Sequence, residues 1–260
     1  MGVLNVTPDS FSDGGKFGDL QSALGHGIHM ADAGADIIDV GGESTRPGAE
    51  VVPPDEQIRR TCPVIQELDK VLNLPLSIDT TNAETAAAAV EAGASVLNDV
   101  SGLADDPELA DLAAEKGAGL ILMHRRGASS AVMQQDTDYD DLFGEIRGAL
   151  EDAINEACKR GVDEEQIVVD PGIGFGKTAD QNYRLLAGLD FLAPLGRPIM
   201  IGVSRKSFLE KVTGRPAAKR TAETVAASLF AFERGATIHR VHDVEDVACA
   251  LAVWNRCRRG

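Results

Sequence analysis

The sequence has few cysteines, and their spacing excludes zinc fingers and redox-active cysteine pairs. No two of them form a C-x-x-C motif, and no histidine stands at finger spacing from them. The four are Cys62, Cys158, Cys249 and Cys257. We therefore expect reduced thiols that serve mainly in packing, as in a cytosolic protein.

Positive charge is also scarce, which excludes two classes of partner. Lys and Arg number 25 against 41 Asp and Glu, and the formal net charge is -16 at pH 7. Nonspecific binding to nucleic acid or to an anionic membrane requires a basic face, so we expect neither partner. The sequence also lacks a signal-peptide pattern and any apolar run near the ~18 residues of a transmembrane helix. We therefore expect a cytoplasmic protein.

What the sequence does contain is a regular alternation of short apolar runs and longer helical patterns. Eight runs indicate strands, at residues 2–6, 36–40, 76–79, 95–100, 119–124, 167–170, 198–203 and 237–241. Their continuous apolar character is typical of parallel strands buried on both faces. The chain length of 260 residues fits one large α/β domain or two domains of about 130 residues.

Local signals mark the ends of the helices between these strands. Gly-Ala pairs follow four helical patterns and Gly161 follows a fifth, which suits the left-handed residue after a helix. Thr81 and Glu84 have the spacing of a capping box at a helix start. Eight β-then-α units without a linker predict an α/β fold, a (β/α)8 TIM barrel formed by a single domain over residues 1–260. A doubly wound parallel sheet is the alternative that this pattern leaves open.

Every predicted strand ends on a polar residue, which is unusual for runs that should be buried. The set comprises Asn5, Asp39, Asp79, Asn98, His124, Asp170, Ser204 and Arg240 with His242. In a (β/α)8 barrel these ends meet at the C-terminal mouth, where active sites lie. Buried acidic and amide side chains need partners, and a planar ligand with several N–H donors, such as a 2-amino-4-oxo-pteridine, would supply them. Each Asp taken alone is equally well explained as a helix cap or an ion-pair partner.

Basic residues at the last two strand ends indicate an anion site. Arg240 and His242 are two residues apart and share a face of an extended chain, and Arg suits forked binding of phosphate. Lys206 stands at a helix start, where the helix dipole disfavours it, and this misfit hints at function. The segment 170–178 contains G-K-T, but Pro171 occupies a glycine position of a P-loop. Phe175 in this segment is either a ring at the mouth or a packing residue.

Several stretches closely resemble dihydropteroate synthases. They cover residues 1–15, 39–49, 77–80, 97–100, 170–177, 204–207 and 240–244, in family order over nearly the whole chain. The first, second and last are specific in combination, whereas pterin-binding methyltransferase domains share the Asp79, Asn98 and Asp170 set. The segment 125–130 departs from the family pattern. The resemblance implies a TIM barrel, a homodimer, and condensation of 6-hydroxymethyl-7,8-dihydropterin diphosphate with p-aminobenzoate, releasing pyrophosphate.

The resemblance also implies roles for individual residues. The pterin would contact Asp79, Asn98, Met123, Asp170, Gly202 and Lys206. Pyrophosphate would contact Asn5, Thr45, Arg240 and His242, and Asn5 would bind the Mg2+ cofactor. The p-aminobenzoate would contact Thr45, Arg46, Pro47, Phe175, Lys206 and Ser207. Catalysis would depend on Asp79, Asp170, Lys206 and Arg46, and the long loops 7–19 and 41–54 would close over the site.

The chemistry is consistent with a dissociative order, which we put forward as a hypothesis. Pyrophosphate would leave first, Asp170 would favour positive charge on the pterin, and the bound amine would then attack. Two other functions remain open. A cobalamin-linked methyltransferase domain would bind a pterin without needing Arg240 and His242, and a non-catalytic pterin binder would not need Asn5 or Lys206.

Overall fold

The computed structural model describes residues 1–6, 15–43, 52–127 and 136–259, with the backbone alone for 15–19. Within these residues, strands and helices alternate along the chain, except that two helices lie between the last two strands. The strands are β1 Gly2–Asn5, β2 Ile38–Gly41, β3 Leu76–Asp79, β4 Val96–Asp99, β5 Gly119–Met123, β6 Ile167–Asp170, β7 Ile199–Ile201 and β8 Ala236–His239. The helices are α1 Gly15–Asp32, α2 Pro54–Val71, α3 Ala83–Glu91, α4 Glu108–Lys116, α5 Leu142–Lys159, α6 Ala179–Ala187, α7 Ser207–Thr213, α8 Thr221–Glu233 and α9 Val244–Arg259.

The eight strands form one parallel sheet in which each strand pairs with the next along the chain. This confirms all eight predicted strands, with small differences at their ends. Past the end of β8, Val241 forms an isolated parallel bridge with Gly2. The N–H of Val3 donates to Val241 O at 3.0 Å, and the N–H of Val241 donates to Met1 O at 2.9 Å. Backbone hydrogen bonds therefore connect β1 to the chain that follows β8.

The strands bury both of their faces, as their continuous apolar runs predicted. Successive side chains of a strand point to opposite faces, and β5 illustrates the result. Leu120 and Leu122 belong to the core cluster that includes residues of the surrounding helices. Ile121, between them, packs with Met1 and Met200 in a smaller cluster built mainly from strand residues. Helices cover one face of the sheet, and strand side chains fill the other.

The glycine signals for helix ends are confirmed, but one predicted helix start is wrong. Five glycines after helices have positive φ, at Gly34, Gly93, Gly117, Gly161 and Gly235. Helix α3 is capped by Asn82, whose side chain accepts from the Thr85 N–H at 2.9 Å, rather than by the Thr81 capping box. Asparagine is at least as good a cap as threonine. Helix α1 begins at Gly15, inside the predicted loop 7–19. Residues 7–14 of this loop and residues 44–51 of the predicted loop 41–54 lie outside the described residues.

Across the described parts of the chain, every helix is too short or too polar to cross a lipid bilayer. The longest helices have 18 residues, and the α2 sequence carries several charged side chains.

Truncation of a strand residue in the helix-facing core should destabilise the protein strongly. Leu122 is completely buried, and Leu122→Ala should lower the free energy of unfolding by about 2–5 kcal/mol, because it removes apolar contacts and leaves a cavity. Val71 at the end of α2 is 62% exposed, so Val71→Ala should change that free energy by no more than about 0.5 kcal/mol. Urea unfolding measures both, and equal effects would contradict the assigned core.

Candidate active site at the carboxyl ends of the strands

Strand pairing aligns three predicted site residues across the sheet. In the registers of β1, β2 and β3, Asn5 lies beside Gly41 and Gly41 lies beside Asp79. Asp79 in turn lies beside Asn98 of β4. A Cβ atom placed on Gly41 would lie 3.6 Å from both Asn5 Oδ1 and Asp79 Cβ. The absence of a side chain at Gly41 therefore leaves space between Asn5 and Asp79.

Arg240 connects two buried carboxylates at this edge. Its Nε donates to Asp39 Oδ2 at 2.6 Å, and its Nη2 donates to Asp79 Oδ2 at 2.7 Å. Asn98 Nδ2 donates to the same Asp39 oxygen at 3.1 Å. Asp39, Asp79 and Asn98 are buried, and the Arg240 side chain is 19% exposed. Two of the five N–H donors of the guanidinium are therefore bound to carboxylates.

The charges in this cluster do not balance, because one guanidinium faces two carboxyl groups. Burial raises the pKa of Asp79, while the Arg240 charge opposes that shift. Burial also disfavours the charged form of Arg240, but the Asp39 and Asp79 carboxylates outweigh this and raise the Arg240 pKa. Within the described chain, Asp39 Oδ1 and Asn98 Oδ1 are buried without a hydrogen-bond partner. Buried acceptors of this kind favour a ligand or water that brings N–H or O–H donors.

Asp170 ends β6 and is held by the loop that follows it. Its Oδ1 accepts from the Gly172 N–H at 2.7 Å, and its backbone O accepts from the His124 N–H at 2.9 Å. Burial raises the pKa of Asp170, whereas the Gly172 N–H and the nearby Lys206 lower it. Met123 pairs with Asp170 in the register of β5 and β6. The carboxyl group thus lies on the same edge as the Arg240 cluster.

Lys206 lies against the loop after β6. Its Nζ donates to Ile173 O and stands 4.2 Å from the centre of the Phe175 ring. Gly174 has φ +84°, and a Cβ there would approach Lys206 Cδ to 2.9 Å, so glycine permits this close packing. Burial lowers the pKa of Lys206 to about 7, although the Asp170 charge acts in the opposite direction. The Phe175 ring therefore lies against Lys206, and its role as a ring at the mouth stays a prediction.

The chain after β7 and the chain after β8 are joined by side chains. Ser204 Oγ lies 3.0 Å from His242 Nδ1 and accepts from the His242 N–H at 3.1 Å. Arg205 Nε donates to Asp243 Oδ2 at 3.1 Å in a two-point ion pair. Arg205 has φ +60°, a strained conformation for a residue with a side chain. These contacts set the positions of Lys206 and His242 relative to each other.

The structure brings most of the predicted site residues to one edge of the sheet. Contacts and strand pairing connect these residues in three groups, which are Asn5 with Asp79, Asn98 and Arg240, Met123 with Asp170, and Phe175 with Lys206. The Lys206 charge also interacts with Asp170 and Asp79. Gly202 is half-buried beside β7, Ser207 is exposed at the first residue of α7, and His242 lies on the same rim. Thr45, Arg46 and Pro47 lie outside the described residues.

Two sets of contacts near the site were not predicted from the sequence. Asp39 was one of the polar strand ends but had no assigned role, and it is the shared partner of Arg240 and Asn98. Lys177 was considered only as part of a rejected P-loop, and its Nζ lies 3.0 Å from His124 Nδ1. The prediction that Asp39 ends its strand was wrong, because β2 continues to Gly41 and Asp39 lies inside it. Its carboxyl group in a buried run was a usable signal, whereas nothing local identified the partner of Lys177. Among the described residues, no group of three or more His, Cys, Asp or Glu side chains is placed to hold a metal ion.

Comparisons with known proteins agree with this site. The family model described as "Pterin binding enzyme" matches residues 1–242. A dihydropteroate synthase from Synechocystis is 50% identical over 259 residues, which cover 98% of this chain and 89% of the relative. The dihydropteroate synthase of Clostridium difficile, solved in the presence of pteroic acid, is 43% identical with a TM-score of 0.94, covering 100% of this chain and 96% of its own.

A second solved structure is that of Xanthomonas albilineans dihydropteroate synthase with 4-aminobenzoic acid. It is 44% identical with a TM-score of 0.93, and the match covers 99% of this chain and 92% of that one. The match to the family model and these identities extend over the segments that carry the site residues. The chain therefore belongs to the pterin binding enzyme family.

Proposed function

We propose that this protein is a dihydropteroate synthase. It condenses 6-hydroxymethyl-7,8-dihydropterin diphosphate with p-aminobenzoate to give 7,8-dihydropteroate and pyrophosphate. The observation that carries the proposal is the buried Asp39–Arg240–Asp79 cluster on one edge with Asp170 and Lys206. Whole-chain similarity to dihydropteroate synthases, including structures with pteroic acid and with 4-aminobenzoic acid, supports it.

The pterin binds at the acidic and amide cluster. The flat 2-amino-4-oxo ring offers N–H donors, and Asp79, Asn98 and Asp170 supply acceptors. Lys206 complements the carbonyl and ring nitrogen acceptors of the same ring. Met123 and Gly202 contribute surface beside the ring, and the open space around the Gly202 Cα admits a planar group.

The p-aminobenzoate binds on the Phe175 side of Lys206. The Phe175 ring and the Lys206 stem offer an apolar surface for the benzene ring, and Ser207 is exposed nearby to bind polar atoms. Thr45, Arg46 and Pro47 lie outside the described residues, and their contact with p-aminobenzoate stays a prediction. This arrangement places the amine nitrogen next to the carbon that it attacks, and such placement supplies much of the rate.

The diphosphate binds beside Arg240 and His242, with Asn5 and Thr45. Asp39 and Asp79 use two of the five N–H donors of the Arg240 guanidinium, and the other three can serve the diphosphate. Asn5 supplies one amide oxygen in a position next to Asp79. Mg2+ commonly takes one or two protein ligands and completes its shell with substrate phosphates and water, so this donor fits an ion that arrives with the diphosphate. When bound, Mg2+ neutralises negative charge on the leaving group.

The reaction follows from these positions in two steps. The C–O bond to the diphosphate breaks first, and its electron pair leaves with pyrophosphate beside Arg240 and His242. The buried Asp170 carboxylate stabilises the positive charge that spreads from the methylene carbon into the dihydropterin ring. The amine nitrogen of p-aminobenzoate then bonds to that carbon and loses a proton. The two substrates are held next to each other by Asp79, Lys206 and Arg46.

The remaining predictions concern the whole molecule. The bridge between Gly2 and Val241 supports a sheet that closes into a (β/α)8 barrel, and we propose a single domain over residues 1–260. The homodimer and the cytoplasmic location stay predictions. The whole-chain match to dihydropteroate synthases favours the synthase over a methyltransferase domain.

An assay with defined substrates separates the three functions. Purified protein is mixed with Mg2+, the dihydropterin diphosphate and p-aminobenzoate, and pyrophosphate and 7,8-dihydropteroate are measured together. A synthase forms both products in equal amounts. A non-catalytic binder forms neither, and a methyltransferase domain forms neither but supports methyl transfer from methyl-tetrahydrofolate. Absence of dihydropteroate would refute the proposed function.

Asp170→Asn should impair the first chemical step more than substrate binding. The amide keeps the size of the side chain but removes the negative charge that stabilises the cation, so kcat should fall by about 10²- to 10³-fold. Pyrophosphate release without p-aminobenzoate, measured in a single turnover, should fall by a similar factor. Release at the parental rate would exclude this role for Asp170.

The pH profile should contain a basic limb set by Lys206. The ammonium form binds the pterin, and the lowered pKa means that this form is lost as pH rises through about 7. The value of kcat/KM for the pterin diphosphate reports the free enzyme, so it should fall as the pH rises above about 7. Burial also raises the pKa of Asp79 to about 7, and protonation of this carboxylate acceptor at lower pH adds an acidic limb. The Lys206→Arg side chain stays charged throughout this pH range. This variant should be less active than wild type, but its kcat/KM should not show the fall above about pH 7 that Lys206 causes. A wild-type profile that stays flat from about pH 6 to about pH 9 would contradict the assignment.

A further inference from the structure

Lys177 is a buried amine that the proposed reaction does not use. The residue is 3% exposed, and its Nζ lies within hydrogen-bond distance of three groups. These are Gly172 O at 3.0 Å, Phe175 O at 2.9 Å and His124 Nδ1 at 3.0 Å. A charged Nζ donates to all three, and a neutral Nζ donates to the two carbonyls and accepts from His124 Nδ1, so the three contacts satisfy it in either form.

Lys177 contacts both ends of the loop that supports the Asp170 carboxylate and carries the Phe175 ring. Gly172, whose carbonyl Lys177 binds, donates its own N–H to Asp170 Oδ1 at 2.7 Å. Phe175, whose carbonyl Lys177 also binds, places its ring 4.2 Å from Lys206 Nζ. The Lys177 amino group therefore holds both the part of the loop that binds the Asp170 carboxylate and the part that carries Phe175.

The same loop is held at further points by neighbouring side chains. Tyr139 Oη donates to Gly176 O at 3.1 Å, and Lys206 Nζ donates to Ile173 O. His124, the third partner of Lys177, donates its backbone N–H to Asp170 O at 2.9 Å. Carbonyl groups of four residues in this five-residue turn thus accept from side chains, and Lys177 supplies two of these bonds.

Packing alone does not explain a lysine at this position. Burial lowers the pKa of Lys177 well below its ordinary value, which means that the charged form is disfavoured there. A methionine would fill similar space without that penalty, but it would remove the donor to the Gly172 and Phe175 carbonyls and the partner of His124 Nδ1. The hydrogen bonds, rather than the apolar stem, are therefore what the residue contributes.

We propose that Lys177 is a positioning residue that holds the loop 172–176 in the geometry required by Asp170 and Phe175. The proposal rests on the proposed function for the meaning of the site, and on the contacts of Lys177 for the geometry. Loss of the Lys177 amino group should let the loop 172–176 move, and with it the Phe175 ring. The cluster of Asp39, Asp79, Asn98 and Arg240 should keep its geometry, because hydrogen bonds between its own members hold it.

The test is Lys177→Met in the full-length protein, with steady-state kinetics for both substrates. The KM for p-aminobenzoate should rise by at least about tenfold, and more than the KM for the pterin diphosphate, while kcat falls because Asp170 loses its support. Lys219→Met, an exposed lysine elsewhere on the surface, should behave as wild type. Leu150→Ala, a buried truncation in α5, controls for instability, because loss of folded protein lowers the apparent kcat but leaves both KM values unchanged.

Hydrogen exchange provides a readout that does not depend on activity. In Lys177→Met without substrates, the peptide covering residues 172–176 should exchange at least about tenfold faster than in wild type, and Leu150→Ala should not show this local change. Unchanged exchange in that peptide would overturn the proposal, whether or not the enzyme is active. Parental KM values in an active Lys177→Met protein would overturn it as well. A wild-type protein that makes no dihydropteroate would instead refute the proposed function.

Discussion

The ion pair that Arg240 makes with two carboxylates is the interaction on which the site depends. It connects the chain after β8 to Asp39 of β2 and Asp79 of β3. These two residues are 201 and 161 residues away from Arg240 in sequence. Two buried carboxylates side by side would repel each other strongly without a cation between them, and removal of one partner from a buried pair is strongly destabilising. Arg240 therefore permits an acidic pocket in the protein interior, and the uncompensated negative charge and unpaired acceptors remain for a ligand that carries N–H donors.

A second group of contacts lies on the same edge of the sheet, in the loop after β6. This loop presents the Gly172 N–H to Asp170 and the Phe175 ring to Lys206. The Lys206 charge interacts with Asp170 and with Asp79, which belongs to the Arg240 cluster. Burial brings the pKa of Lys206 to about 7, so its proton is held weakly at neutral pH. In the function that we propose, the Arg240 cluster recognises the pterin, and the loop after β6 supports the first chemical step and the amine.

The topology explains why residues from the whole chain can meet in this way. Each strand pairs with the next in parallel, so all carboxyl ends lie on the same edge of the sheet. A strand end is a position where a buried backbone emerges, and a polar side chain there can remain partly sheltered while it reaches a ligand. The helices and strand interiors supply the stability, and the strand ends and the loops that follow them carry the candidate site residues. The same scaffold could serve other reactions, so the functional conclusion rests on the site residues and the comparisons rather than on the fold.

Much of this arrangement could be predicted from the sequence, because it depends on local patterns. Apolar runs located all eight strands, glycines located helix ends, and the polar residues after those runs located Asp79, Asn98, Asp170 and Arg240 at one edge. Local patterns could not identify partners that are distant in the chain. The sequence suggested that Arg240 would bind an anion, but only the tertiary structure decided that two of its N–H groups bind Asp39 and Asp79. It also decided that Lys177 binds His124 and the Gly172 carbonyl, and that Asn82 rather than Thr81 caps α3. Hydrogen bonds depend on positions in space within fractions of an ångström, and packing of the whole chain sets those positions.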